Sequence, residues 1–239
     1  MVMRFFNLSK GVLWALVMFG PSLGVMGAAD QNKLDEHQNK LDERIRKLTD
    51  RFELIAGKSR TKIPGYVLRR AQGIVIFQEF EAGLLIGVRG GNGIALARDP
   101  KTGKWSFPSF VKTGKGSFGL QAGGHEISAV MVVLDSSVMR QLARARFKIG
   151  VNAAATGGPV GVEADTRVGL PPIVVYSNAT GLFAGVSIEG GVLTPGNKAN
   201  ERYYRMGGVT MYEILYEGTG AETPTTQRLL ETIGRYERD

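Results

Sequence analysis

A chain of 239 residues without one cysteine excludes disulfides, thiolate nucleophiles, cysteine-ligated zinc and an acylated cysteine anchor. Its 33 glycines are about twice the usual share and follow no collagen-like period, so they belong to turns and strands. The formal charge of +8, from 30 basic and 22 acidic residues, draws the protein toward anionic surfaces without choosing among them.

Residues 1–29 read as an export signal. Arg4 and Lys10 supply the positive start, Gly11 to Gly27 is apolar, and Gly27-Ala28-Ala29 offers small residues before cleavage at Asp30. Gly20-Pro21 interrupts the apolar run. Its 17 residues, at about 1.5 Å each, reach about 26 Å and fall short of a hydrocarbon core of about 30 Å. The expected product is exported, periplasmic or secreted, and peripheral at the cell envelope.

Residues 30–57 read as an amphipathic helix. Gln-Asn-Lys-Leu-Asp-Glu at 31–36 returns at 38–43, and Leu34, Leu41, Ile45, Leu48, Phe52 and Ile55 follow the 4-3 spacing of a heptad seam. Lys33, Lys40 and Lys47 form one stripe beside His37, Arg44 and Arg51, with Asp35, Glu36, Asp42, Glu43 and Asp50 on the other flank. Gly57 is a plausible C-cap. No acid occurs from Leu54 to Gln78, where Lys58, Arg60, Lys62, Arg69 and Arg70 stand.

A body over 58–217 follows. Ile63 to Gln72 suggests a short helix opening near Pro64, a residue tolerated in a first turn. Strands are expected at 73–80, 83–89, 93–98, 105–111, 117–123 and 127–134, with turn chemistry at Asp99-Pro100-Lys101-Thr102-Gly103. The unbroken apolar run Val130 to Leu134 suits a strand buried on both faces. Ser136 or Ser137 caps a helix to Lys148, whose Arg140, Arg144 and Lys148 make a second basic stripe. After a loop at 157–161, strands are expected at 160–168, 172–177, 182–189 and 203–216. Thr223-Pro224 opens a last helix in a tail over 218–239. The fold class is α+β, a mainly antiparallel, Gly-rich β framework with an N-terminal amphipathic helix and a few short helices.

Catalytic signatures are missing. Gly114-x-Gly116-x-x-Gly119 has the letters of a dinucleotide fingerprint, but Ser117 to Gly124 is Gly-punctuated and β-like where a helix must open. Only His37 and His125 exist, neither near a nucleophile motif, and no Gly-x-Ser-x-Gly, His-Glu-x-x-His or P-loop occurs. No enzyme activity, cofactor or metal is expected, and no nucleic-acid partner, because no aromatic-studded basic strand or recognition helix stands out.

Several segments together resemble the SYLF domain family. They are Ile63-Pro64, Ala71-Gln72-Gly73-Ile74-Val75-Ile76-Phe77, Ala82-Gly83 leading to Gly90-Gly91-Asn92-Gly93 and Arg98, and Trp105-Ser106-Phe107-Pro108-Ser109-Phe110. Gly116-Ser117-Phe118-Gly119-Leu120-Gln121, Gly158-Pro159-Val160-Gly161, and Tyr176-Ser177 followed by Gly181 to Gly190 continue the match over roughly 63–216. The resemblance implies a non-enzymatic domain that binds membrane phospholipids, phosphoinositides in eukaryotic members, through an N-terminal amphipathic helix and basic residues. It also implies actin as a partner of some members. This sequence differs from the eukaryotic pattern by its export signal and by showing no SH3 or FYVE module.

The expected lipid contacts are therefore Arg44, Lys47, Arg51, Lys58, Arg60, Lys62, Arg69 and Arg70, with Phe52 as the aromatic anchor entering the headgroup boundary. Arg140, Arg144 and Lys148 form a secondary patch. The alternative is protein–protein assembly, either a homo-oligomeric coiled coil through 31–57 or a cytoskeletal partner such as actin.

Overall fold

Alternation along the strands decides the architecture. In β1 (Gly73–Gly83), Ile74 and Ile76 face one way, Val75 and Phe77 the other, and all four are buried. The same holds in β2 (Ile86–Ala97), where Ile94 and Leu96 oppose Ala95 and Ala97, and in β4 (Gly123–Val133), where Val130 and Val132 oppose Met131 and Val133. A sheet apolar on both faces needs a helical layer on each, and it has them. The computed structural model describes residues 28–57, 62–83, 86–118, 123–150, 153, 155–157, 171–177 and 191–239.

On the first face, the core built on Ile74, Ile76, Ile94 and Leu96 is covered by α1 (Ala28–Gly57), α2 (Gly65–Arg70), α4 (Asn197–Tyr204) and α6 (Pro224–Arg238). On the second, α3 (Ser136–Arg144) lays Val138, Met139, Leu142 and Ala143 over Val75, Met131 and Val133, and α5 (Met211–Tyr216) adds Met211 and Leu215. The remaining strands are β3 (Ser109–Phe118), β5 (Phe147–Lys148), β6 (Ala155–Gly157), β7 (Ile173–Ser177) and β8 (Val192–Pro195). Among the described residues the strand order is β5-β8-β3-β2-β1-β4-β7-β6, antiparallel throughout except between β6 and β7. The expected α+β class with a mainly antiparallel sheet is the observed one, and Val130 to Val133 are buried from both sides.

Several boundaries differ from expectation. Strands 83–89 and 93–98 are one strand, β2, whose Gly90-Gly91-Asn92-Gly93 stays in the ladder opposite Phe77 to Phe80. A side chain at Gly91 would overlap the Gln78 carbonyl oxygen, and a Cβ on Gly93 would lie 2.5 Å from that of Ile76, so these glycines permit a close approach of β2 to β1. Trp105 forms only an isolated bridge with Arg98, and β3 begins at Ser109. Gly114 and Gly116 lie inside β3, opposite Gly90 and Val88, so no helix opens at the fingerprint-like glycines.

The third helix stops at Arg144, capped by Asp135, whose side chain accepts from the Ser137 N–H at 2.7 Å. Ala145 then turns extended into β5. The largest departure is 203–216, expected as a strand. Tyr203 and Tyr204 end α4 at a left-handed Arg205 (φ 54°), and a Thr210–Glu213 capping box starts α5. The last helix does open at Pro224, behind its N-cap Thr223. The strands expected at 160–168 and 182–189 lie outside the described residues.

One buried amide pins α4 to β3. Asn200, fully buried, accepts from the Phe110 backbone N–H at 2.8 Å and donates to Ser109 Oγ at 3.0 Å. Asn200→Ala would leave the Phe110 donor unpaired in a dry site, and is expected to lower stability by about 1–3 kcal/mol in urea unfolding.

Candidate functional site

The apolar seam of α1 is spent inside the molecule. Leu41, Ile45, Leu48, Phe52 and Ile55 are all buried in the core beneath the helix. Phe52, expected as the membrane anchor, is 0% exposed, and its ring meets Tyr236 of α6 edge-on with centroids 5.7 Å apart. That expectation is corrected: the seam is an amphipathic face covering a sheet. The same burial corrects the coiled coil, because the residues that would zip two copies already contact the chain's own core.

What α1 offers outward is charge. Lys40 and Lys47 each pair with a glutamate one turn earlier, Glu36 at 2.6 Å and Glu43 at 2.7 Å, in exposed contacts that solvent screens and that add little to stability. Such pairs open readily to another anion. Arg51 reaches Glu126 on β4 at 2.6 Å.

Arg44 is different. It is half-buried, lies 5.9 Å from the Phe110 ring centre, and among the described residues donates only to Asn92 Oδ1 at a long 3.5 Å. No carboxylate among the described residues pairs with it, and burial pulls its pKa below the usual guanidinium range. A half-desolvated cation without a counter-charge favours an anion.

Arg44 borders a cleft of about 260 Å³ between α1 and the outer part of the sheet. Lys40, Glu43, Lys47 and Leu48 line it from the helix; Gln78, Phe80 and Asn92 line it from β1 and β2. Two steps beyond Ile76 on the α1-facing side of β1, Gln78 is partly open, and two steps further Phe80 is 58% exposed. Lys112 of β3, exposed, stands opposite Asn92 in the register. Cations, amides, one open aromatic ring and the Glu43 carboxylate, which Lys47 holds, thus share one end of this face. The periodicity of α1 could not find Gln78, Phe80 or Asn92. Counting by twos from Ile74 would have placed the first two on this side.

The other expected contacts scatter. Lys62 and Arg70 are exposed. Arg69 donates to the Glu237 carbonyl at 2.6 Å, near the end of α6. Lys58 and Arg60 lie outside the described residues. Arg140 and Arg144 sit on α3, on the second face, over the rings of Tyr216 and Tyr212 at 5.7 and 4.7 Å; Lys148, on β5, is exposed. Nothing gathers three potential metal ligands among the described residues, and no helix there is long and apolar enough to cross a membrane.

Comparison with known proteins adds an independent line. The family model Ysc84, described as "Las17-binding protein actin regulator", matches residues 114–236. The SH3 domain-containing YSC84-like protein 1 of Xenopus laevis is 35% identical over 162 residues, 64% of this chain and 47% of that protein. Its Homo sapiens counterpart is 34% identical over 165 residues, 66% and 46% of the two chains. Protein YSC84 of Saccharomyces cerevisiae is 35% identical over 150 residues, 59% of this chain and 31% of the yeast protein. The chain thus spans about half the length of the vertebrate relatives and about a third of the yeast one. No solved structure matches.

Proposed function

The chain belongs to the Ysc84 (SYLF) family of binding and regulatory domains, and from that premise we propose that it binds anionic phospholipid at a membrane surface, without catalysis. One observation carries the reading: Arg44, a half-buried guanidinium without a carboxylate partner among the described residues, borders a cleft beside the open ring of Phe80. Phosphate oxygens supply the missing counter-charge, Lys40 and Lys47 exchange their glutamates for lipid, and Phe80 takes the place in the headgroup boundary once expected of Phe52. The reading of residues 1–29 as an export signal supports a contact at the cell envelope, in a periplasmic or secreted protein.

Co-sedimentation tests it with phosphatidylcholine vesicles, with and without phosphatidylglycerol. The protein is expected to pellet only with the anionic ones, and Arg44→Gln to weaken binding about fivefold, as for one cation near a charged surface. Phe80→Ser is expected to weaken it further with little loss of stability, since more than half of the side chain is already in water. Wild-type binding by an Arg44→Gln, Phe80→Ser double variant would refute the assignment.

The family description favours a second reading, in which this domain contacts an actin-type cytoskeletal partner. Co-pelleting with filamentous actin in the absence of lipid separates the two.

A further inference from the structure

On the sheet face opposite α1, two arginines are held without a counter-charge among the described residues. Arg140 and Arg144 are exposed on α3, one helical turn apart, and Tyr216 and Tyr212 repeat that spacing on α5. Arg140 lies over Tyr216 at 5.7 Å and Arg144 over Tyr212 at 4.7 Å, while the two rings, 5.1 Å apart and tilted by 37°, support each other. Neither guanidinium has a carboxylate partner among the described residues. The acids on these helices are otherwise engaged: Asp135 caps α3, and Glu213 closes the box with Thr210 at the start of α5. Glu217, which ends α5, and Arg146, on the connection after α3, are both exposed.

Stacking on an aromatic face fixes a guanidinium's plane and leaves its edge N–H groups free for a carboxylate. Two such edges one turn apart are about 6 Å from each other along the helix. Residues on one side of an extended peptide repeat every 6.4–6.8 Å or so. The two spacings nearly match. We propose that the α3–α5 face binds an extended acidic peptide segment, with Arg140 and Arg144 each gripping one of two alternate carboxylates.

A bilayer is the poorer partner for this face. Among the described residues the exposed large apolar side chains are Leu54, Tyr66, Phe80 and Met206, and none lies on α3 or α5. The proposal is independent of the lipid reading: α3 covers the core of Val75 and Met131, α1 that of Ile74 and Ile76, so both faces can be engaged at once.

The test is fluorescence anisotropy of a labelled (Glu-Ser)4 peptide titrated with the full chain at low ionic strength, with the (Gln-Ser)4 peptide as its uncharged counterpart. The acidic peptide is expected to bind and the neutral one not. Arg140→Gln with Arg144→Gln is expected to weaken binding about tenfold, at an unchanged unfolding midpoint. Arg140→Lys with Arg144→Lys is expected to lose most of the same affinity, because lysine keeps the charge but not the planar fork. Equal binding of the two peptides, wild-type affinity in the glutamine variant, or full retention in the lysine variant would each overturn the proposal. So would a glutamine variant that loses phosphatidylglycerol vesicles while keeping the peptide.

Discussion

Phe52→Ala is expected to lower the free energy of unfolding by about 3–5 kcal/mol, the range for deleting a fully buried aromatic ring. The ring has no exposed surface, lies among Leu48, Ile55 and the sheet residues of the first core, and meets Tyr236 edge-on at 5.7 Å. Little nearby can collapse into the space. Pro224–Arg238 is anchored by its own caps and by ion pairs, Arg228 to Asp50 at 2.8 Å and Arg235 to Glu53 at 3.4 Å. Denaturant unfolding reads the loss as a drop in midpoint. Vesicle binding by the molecules that remain folded should not change, because Phe52 never reaches the surface. The opposite pattern, intact stability with lost vesicle binding, would restore Phe52 as the anchor and remove Phe80 from that role.

That contrast shows what the sequence could and could not disclose. The 4-3 spacing of Leu41, Ile45, Leu48, Phe52 and Ile55 correctly marks a buried stripe, yet a stripe does not say what buries it. A bilayer, a second copy and the chain's own sheet all satisfy the same period. The apolar run at 130–134 was more telling, because a strand with no polar side demands layers on both faces. Local chemistry also carried information that composition hid. Tyr203, Tyr204, Val209 and Tyr212 have strand-like texture, but Thr210 and Glu213 at capping-box spacing were the better guide to α5. The cleft was illegible for a different reason. Arg44, Gln78 and Asn92 meet only through the register of β1 with β2 and the docking of α1, and no window of neighbouring residues contains that.

Arg98 and Trp105, two of the residues on which the family resemblance rested, turn out to serve the fold. Arg98 donates from Nε to the Ala71 carbonyl at 2.9 Å, and from its two terminal nitrogens to Gly103 and Leu68, both at 3.1 Å. It also pairs with the Glu237 carboxylate and lies 4.3 Å from the Trp105 ring centre, whose indole N–H donates to the same carboxylate at 3.0 Å. One guanidinium therefore joins the end of α2, the 99–104 turn and the last turn of α6. Arg98→Ala is expected to cost about 2–4 kcal/mol. Removing one partner of a largely enclosed pair leaves the other charge stranded, and the 16% and 18% exposure of the two side chains tempers the full penalty of a dry site. Glu237→Gln should cost less, since an amide oxygen can still accept from both Arg98 and Trp105. Hydrogen exchange gives the sharper reading: the last turn of α6 and residues 65–71 should lose protection together in Arg98→Ala, while β1 and β4 keep theirs. If α6 exchanges faster and α2 does not, the guanidinium is an ordinary pair with Glu237 and the three elements are not held as one.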